Sequence, residues 1–163
     1  MDIRASLLAA SIGLASACGG SAAAPSPAPT VSLPDGTYLL AVYSAGIGCV
    51  LSSFTQPAAP KSSVSTPVVV GPEGEGWHVG SGDAAAGSVE MRLARTAVGV
   101  EGKVWGTLTQ PGVSVTLQHS VNGTANGPAP GVIGSVEGTV NYAGPSGTAF
   151  CATNLWSLTP EGR

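Results

Sequence analysis

The side chains best suited to chemistry lie in one short glycine-rich stretch. Glu73, Glu75 and His78 are close together in the chain, and Asp83 follows shortly after them. Carboxylates and an imidazole at this spacing could ligate a cation. Charged residues set between glycines are more typical of a solvated hairpin turn. We therefore expect a surface turn here, with no metal ion and no cofactor.

Other reactive side chains are isolated. His119 is predicted on a different strand from His78, and the many serines occur in no Gly-x-Ser-x-Gly turn. Because acid and base groups are so sparse, we expect a protein that is not an enzyme. Alternation places Trp105 on the outward face of its strand, beside Glu101 and Lys103, which indicates either a contact residue or a ring packed under a loop.

The N-terminal segment has the pattern of an export signal. Arg4 precedes an uncharged apolar run, Ala5 to Ala17, which is too short to span a bilayer and fits a signal-peptide core. Residues 1–17 are therefore predicted to be removed on export. A buried N-terminal helix is the alternative.

The residues around Cys18 decide what happens after cleavage. Leu14-Ala15-Ser16-Ala17-Cys18 resembles a bacterial lipobox, which implies that Cys18 is acylated and anchors the chain in the membrane. Gly19 replaces the aspartate that retains such lipoproteins at the inner membrane, which favours the outer membrane. Ala15-Ser16-Ala17 also reads as an ordinary cleavage site, which would release a secreted or periplasmic protein.

Cysteine pairing favours the lipoprotein. The chain has 3 cysteines, so acylation of Cys18 leaves Cys49 and Cys151 as an even pair. In an oxidising compartment we expect these two residues to form a disulfide bond. They stand near the two ends of the predicted domain, where the first and last strands of a closed barrel would meet.

The remaining chain divides into a tether and one domain. Residues 18–32 hold the lipidated cysteine and a stretch rich in Gly, Ala, Pro and Ser that is typical of a flexible linker. Residues 33–163 are predicted to form the domain. The formal net charge of −3 and the sequence pI of about 5.1 make nucleic acid a poor partner.

The domain has the composition and alternation of β-strands. Only 9% of residues are charged and 24 are glycine, and no helical period follows the signal segment. About eight strands are predicted, which favours a single antiparallel up-and-down barrel, with a two-sheet β-sandwich as the alternative. Alternation places nine apolar residues inward: Val100, Val104, Leu108, Val136, Val140, Tyr142, Phe150, Trp156 and Leu158. Glycines between them let the strands bend.

Several short motifs carry a resemblance. Asp35-Gly36-Thr37-Tyr38-Leu39, Cys49, Val104-Trp105-Gly106 and Cys151-Ala152-Thr153-Asn154 are similar to the outline of exported bacterial lipoproteins of uncharacterised function. That resemblance implies a lipocalin-like, calycin-type barrel and no known activity. The Gly-x-Trp signature of the lipocalins is absent from the first strand.

Two functions follow as expectations. The first is a non-catalytic binding module for a small apolar ligand, because the predicted interior is apolar. Its candidate lining residues are Val104, Val136, Tyr142, Phe150 and Trp156. The second is a structural or interaction lipoprotein that contacts an envelope protein through surface loops. A filled interior with an exposed apolar patch would favour the second.

Overall fold

A computed structural model describes residues 30–44, 49–51, 63–81, 87–145 and 147–162, and these residues contain no helix. They form β1 Gly36–Ser44, β2 Cys49–Leu51, β3 Ser63–Glu73, β4 Gly76–Ser81, β5 Val89–Arg95, β6 Val100–Gln110, β7 Val113–Ala125, β8 Val132–Glu137, β9 Val140–Gly144, β10 Gly147–Cys151 and β11 Asn154–Pro160. The all-β prediction is therefore confirmed. The predicted signal peptide and lipidation site lie outside the described residues.

Eight of these strands close into one antiparallel ring. Around the ring the order is β1, β3, β4, β5, β6, β7, β8, β11 and back to β1. Apart from β2, β9 and β10, neighbours in the ring follow one another in the chain. The predicted up-and-down barrel is therefore confirmed over the two-sheet sandwich. Closure pairs every strand edge in the ring.

The other three strands continue walls of the same barrel. β8 and β9 pair along β7 in one register, with Ser120 opposite Glu137 and Thr116 opposite Asn141. They form one wall interrupted near Gly138, whose φ of 107° lies in the left-handed region that glycine adopts readily. β10 lies beside β9 as β11 lies beside β8, and β2 pairs with β10.

The register shifts between β10 and β11. Val140 lies opposite Cys151 and Val136 lies opposite Asn154, so the β8–β9 wall has one more residue here than its neighbour. A shift of one residue exchanges the two faces of a strand. The prediction that Phe150 faces inward with Trp156 is therefore wrong. Phe150 is 41% exposed, whereas Trp156 is fully buried.

The interior of the ring is packed with side chains. One continuous cluster of buried apolar residues draws on every strand of the ring. Its largest fully buried members are Trp156, Leu40, Met91, Leu108, Leu117 and Leu158. Gly134 permits close strand contact, since a Cβ there would lie 1.8 Å from the Asn122 carbonyl oxygen. A Cβ on Gly102 or Gly106 would likewise lie 1.9 Å from the carbonyl oxygen of Arg92 or Ser88.

The segment before β1 caps one end of the barrel. Val31 and Leu33 belong to the buried cluster. The Gly131 N–H donates to the Ser32 carbonyl at 3.2 Å, and the Arg95 guanidinium donates to the Val31 carbonyl at 3.4 Å. Val31 falls within the predicted tether, residues 18–32, yet it packs with the domain.

Candidate functional site

The residues predicted to line a ligand cavity divide into two groups. Val104, Val136, Tyr142 and Trp156 are buried in the packed cluster. Phe150 lies on the outer surface, for the register reason given above. The four inward residues therefore serve as core packing in this structure.

The buried polar groups of Tyr142, Asn154 and Trp156 bond to the protein itself. The Tyr142 hydroxyl donates to Asn154 Oδ1 at 2.8 Å, and Asn154 Nδ2 donates to the Cys151 carbonyl. The Trp156 indole N–H donates to the Asn122 carbonyl at 2.9 Å. Burial raises the pKa of Tyr142 to about 12, because the charged phenolate loses its hydration there. These polar atoms form hydrogen bonds that join parts of the barrel wall to each other.

The predicted disulfide is confirmed. Cys49 on β2 and Cys151 on β10 are directly opposite each other, and their sulfur atoms are bonded at 2.07 Å. The bond joins residues 102 positions apart, so it ties the early part of the barrel to its closing wall. Cys18 lies outside the described residues.

The two histidines lie on opposite faces of the barrel wall: His78 is on the outer surface, whereas His119 is half-buried on the inward face of β7, directly opposite Val104. His78 on β4 contacts Glu90 on β5 at 2.7 Å, and Glu73 forms a 3.7 Å ion pair with Arg92. Among the described residues, no three His, Cys, Asp or Glu side chains come together as a metal site. Asp83 of the predicted cluster is outside the described residues.

The outer surface of β5 and β6 holds a groove that the sequence did not predict. Every lysine and arginine of the described residues lies in it, although the whole chain has a net charge of −3. The groove has a volume of about 550 Å³. We call it the Trp105 groove. Its charged and aromatic lining residues are Glu73, Glu75, Arg92, Arg95, Glu101, Lys103 and Trp105.

Two cations face each other across this groove. Arg92 on β5 is directly opposite Lys103 on β6, an arrangement that destabilises a sheet because like charges repel. The ion pair of Arg92 with Glu73 offsets little, since the two side chains are 65% and 44% exposed. Lys103 has no ion pair with any described residue. Lys103 therefore has charge available for an external anion, and Arg92 would share its charge between that anion and Glu73.

Trp105 stands beside these cations. Its ring is 36% exposed, and the Arg92 guanidinium carbon lies 5.9 Å from the ring centroid. On the other side of the indole, a cleft of about 350 Å³ is lined by Gln118, Ser120 and Lys103, among others. Trp105 thus stands between the groove and a smaller polar cleft, and Lys103 lines both.

Alternation in the sequence correctly placed Trp105 and Lys103 outward on β6. It also placed Arg92 outward on β5, but the two strands could not be set in register from alternation alone. Only the pairing of Met91 with Val104 brings Arg92 opposite Lys103. The length of the turn between β5 and β6 was the one feature of the sequence that could have indicated this register.

The opposite side of the barrel differs in chemistry. β1 and β11 lie four positions around the ring from β6 and β5, and neither strand carries a charged residue. Leu39 and Leu155 are partly exposed there, with Val69 on neighbouring β3. The charged residues next to this face, Asp35 and Glu161, lie just beyond the ends of the two strands.

Comparison of the chain with protein-family models, with curated proteins and with solved structures gave no match. Within the described residues there is also no helix of the length and apolarity needed to cross a bilayer.

Proposed function

We propose that this protein is a lipid-anchored, non-catalytic binding module of the bacterial envelope, and that its ligand binds on the outside of the barrel. The binding site is the Trp105 groove. The observation that carries this location is the combination of an exposed indole with all the described lysine and arginine side chains in one surface groove.

The packed interior favours the surface over a lumen. A ligand inside the barrel would have to displace Trp156 or Leu40, which are fully buried. Dense protein cores leave few voids larger than a water molecule, and emptying this one would forfeit the burial of large side chains. Surface binding needs no such rearrangement.

The membrane anchor is supported by the cysteine count. With Cys49 and Cys151 bonded to each other, Cys18 is the one remaining cysteine of the chain. We expect globomycin, or Cys18→Ser, to leave unprocessed or unanchored protein. Membrane attachment of the Cys18→Ser variant in a fractionation experiment would contradict acylation at this residue.

A short tether would hold the domain close to the membrane. Residues 19–29 would reach about 36 Å when extended, at roughly 3.3 Å per residue. Anchoring raises the effective concentration of the domain near envelope ligands. A weak surface site can therefore be sufficiently occupied for function.

Retention on isolated cell envelopes tests the groove. The full chain carrying Cys18→Ser is incubated with envelopes of the producing bacterium and sedimented, so that retention depends on the domain. We expect Trp105→Ala to lower the retained fraction about fivefold or more, as for a central aromatic contact. Val69→Ala is the matched control, since it truncates an exposed apolar side chain outside the groove.

Two results would overturn the groove as the binding site. One is equal retention of the Trp105→Ala and Val69→Ala variants. The other is a rise in the midpoint of thermal unfolding with fatty acids or hydrophobic dyes that persists in Trp105→Ala, because ligand binding stabilises the folded state. The second result would instead support an apolar ligand in the lumen.

A further inference from the structure

The chemistry of the Trp105 groove identifies a class of ligand. We infer that the groove binds an acidic saccharide, with its carboxylate between Arg92 and Lys103 and a sugar ring against Trp105. This inference rests on the proposed function, since it names the ligand of the same groove.

The anionic group follows from the opposed cations. Residues directly opposite on antiparallel strands have Cβ atoms about 5 Å apart, which allows one carboxylate to lie between Arg92 and Lys103. A planar guanidinium binds a carboxylate through two parallel hydrogen bonds. Such a ligand relieves the repulsion between the two cations. The repulsion therefore becomes part of the binding energy.

The ring follows from Trp105. Trp105 and Lys103 are alternate residues on the same face of β6, so they stand about 7 Å apart along the strand. The exposed indole presents an apolar surface to which the C–H face of a sugar can stack. A carboxylate bound at Lys103 thus brings its own ring over Trp105.

The hydroxyl groups of the sugar match the neighbouring strand. Gln118 lies opposite Trp105 and Ser120 lies opposite Lys103, which gives a polar patch of about 5 Å by 7 Å. Gln and Ser side chains both donate and accept hydrogen bonds, as sugar hydroxyls do. A purely apolar ligand would cover these groups without bonding them, which is unfavourable.

Nearby carboxylates favour ligands that carry free hydroxyl groups. Glu90 lies opposite Trp105 on β5, and Glu101 precedes Lys103 on the same face of β6. Both repel phosphate-rich polymers but can accept hydrogen bonds from hydroxyl groups. The groove therefore favours a saccharide that offers a carboxylate to Arg92 and Lys103 and free hydroxyl groups to Glu90 and Glu101 over a nucleic acid.

Calorimetric titration with defined oligosaccharides tests the inference. The full chain carrying Cys18→Ser is titrated with trigalacturonate, with neutral cellotriose, with glucose 6-phosphate and with triglutamate. We expect trigalacturonate to bind with a Kd of about 0.1–1 mM, because a shallow open groove offers few contacts. The affinity is expected to fall as salt is added, since the charges are exposed. Cellotriose and glucose 6-phosphate are expected to bind at least about fivefold more weakly.

Variants assign the contacts. Arg92→Gln and Lys103→Gln are each expected to weaken trigalacturonate binding about fivefold or more, and Trp105→Ala to abolish measurable binding. Ser157→Glu on β11 is the charge-matched control, because it lowers the net charge by the same amount on the opposite face. Its affinity is expected to stay within twofold of the parent protein. The thermal midpoint of every variant shows that the barrel remains folded.

Each remaining outcome overturns the inference in a distinguishable way. If cellotriose binds as tightly as trigalacturonate, the ligand does not need an acidic group. If glucose 6-phosphate binds more tightly than trigalacturonate, the anionic group of the ligand is a phosphate and not a carboxylate. Triglutamate binding with the same variant dependence, without saccharide binding, identifies a peptide ligand and leaves the groove in place. No binding of any probe, with envelope retention still dependent on Trp105, also overturns only the saccharide. Retention independent of Trp105 overturns the groove as well.

Discussion

Strand β6 presents two faces with opposite chemistry, the barrel interior and the Trp105 groove. Val104 and Leu108 point inward and are almost completely buried, whereas Lys103 and Trp105 alternate with them and are accessible. Inside, the polar groups of residues such as Tyr142 are hydrogen-bonded within the protein. Outside, two cations face each other, and of the two only Arg92 has an ion-pair partner, Glu73.

This difference separates stability from function. The buried side stabilises the fold through apolar burial and satisfied hydrogen bonds. The groove side keeps an arrangement that does not favour folding, which is expected where binding is needed. Substitutions on the buried side should therefore lower stability, and substitutions in the groove should alter binding with small effects on stability.

Removing the disulfide should give the largest loss of stability. Replacing both Cys49 and Cys151 by Ala opens a loop of 102 residues, and the chain-entropy model assigns such a cross-link about 4.7 kcal/mol. Urea unfolding of the double variant measures the loss. A change below about 1 kcal/mol would show that the unfolded chain is hardly constrained by this bond.

Truncating the largest core residue should rank next. Trp156→Ala removes a fully buried indole and a hydrogen bond to the Asn122 carbonyl, and we expect a loss of about 3–5 kcal/mol. The matched control is Trp105→Ala, for which we expect a smaller loss of about 1 kcal/mol, because the indole is 36% exposed and its truncation leaves no internal cavity. Equal losses in urea unfolding would contradict the division between the two faces.

Much of this fold could be predicted, because strand alternation is a local property. The inward positions of Val104 and Trp156 follow from it directly. Phe150 was misplaced because the one-residue mismatch between neighbouring walls leaves no signal in its own strand. The contact of Arg92 with Lys103 across the groove required the strand register. Burial of Val31 depends on where the chain folds back over the barrel end.

Tyr142→Phe should have a smaller effect that depends on pH. Losing the hydrogen bond to Asn154 is expected to lower stability by about 1 kcal/mol at pH 7. The pKa of Tyr142 is raised from 10.0 to about 12 in the folded protein, so between these values the unfolded state releases a proton that the folded state keeps. Stability of the parent protein should therefore fall as pH rises from 10 to 12.

The difference between parent and Tyr142→Phe isolates this residue from other titrating groups. Because Phe has no ionisable proton, the variant should lose less stability over the same pH range. Thermal midpoints measured from pH 9 to pH 11.5 should converge as pH rises. Parallel curves would show that Tyr142 ionises with the same pKa in the folded and unfolded states.

The smallest expected effect has the opposite sign and tests the comparison most directly. Lys103→Glu replaces the repulsion of Arg92 by attraction between directly opposite side chains, which is worth about 0.2–1 kcal/mol on a sheet surface. Glu90 and Glu101 lie near the new carboxylate and reduce the gain, so we expect a stabilisation of about 0.5 kcal/mol that disappears in high salt.

Because the same change removes one of the two cations that hold the anion, the variant should lose trigalacturonate binding and envelope retention while becoming more stable. Urea unfolding and calorimetry on one sample measure both quantities. A variant that is destabilised, or that is stabilised and still binds, would mean that the opposed cations are not kept for the ligand.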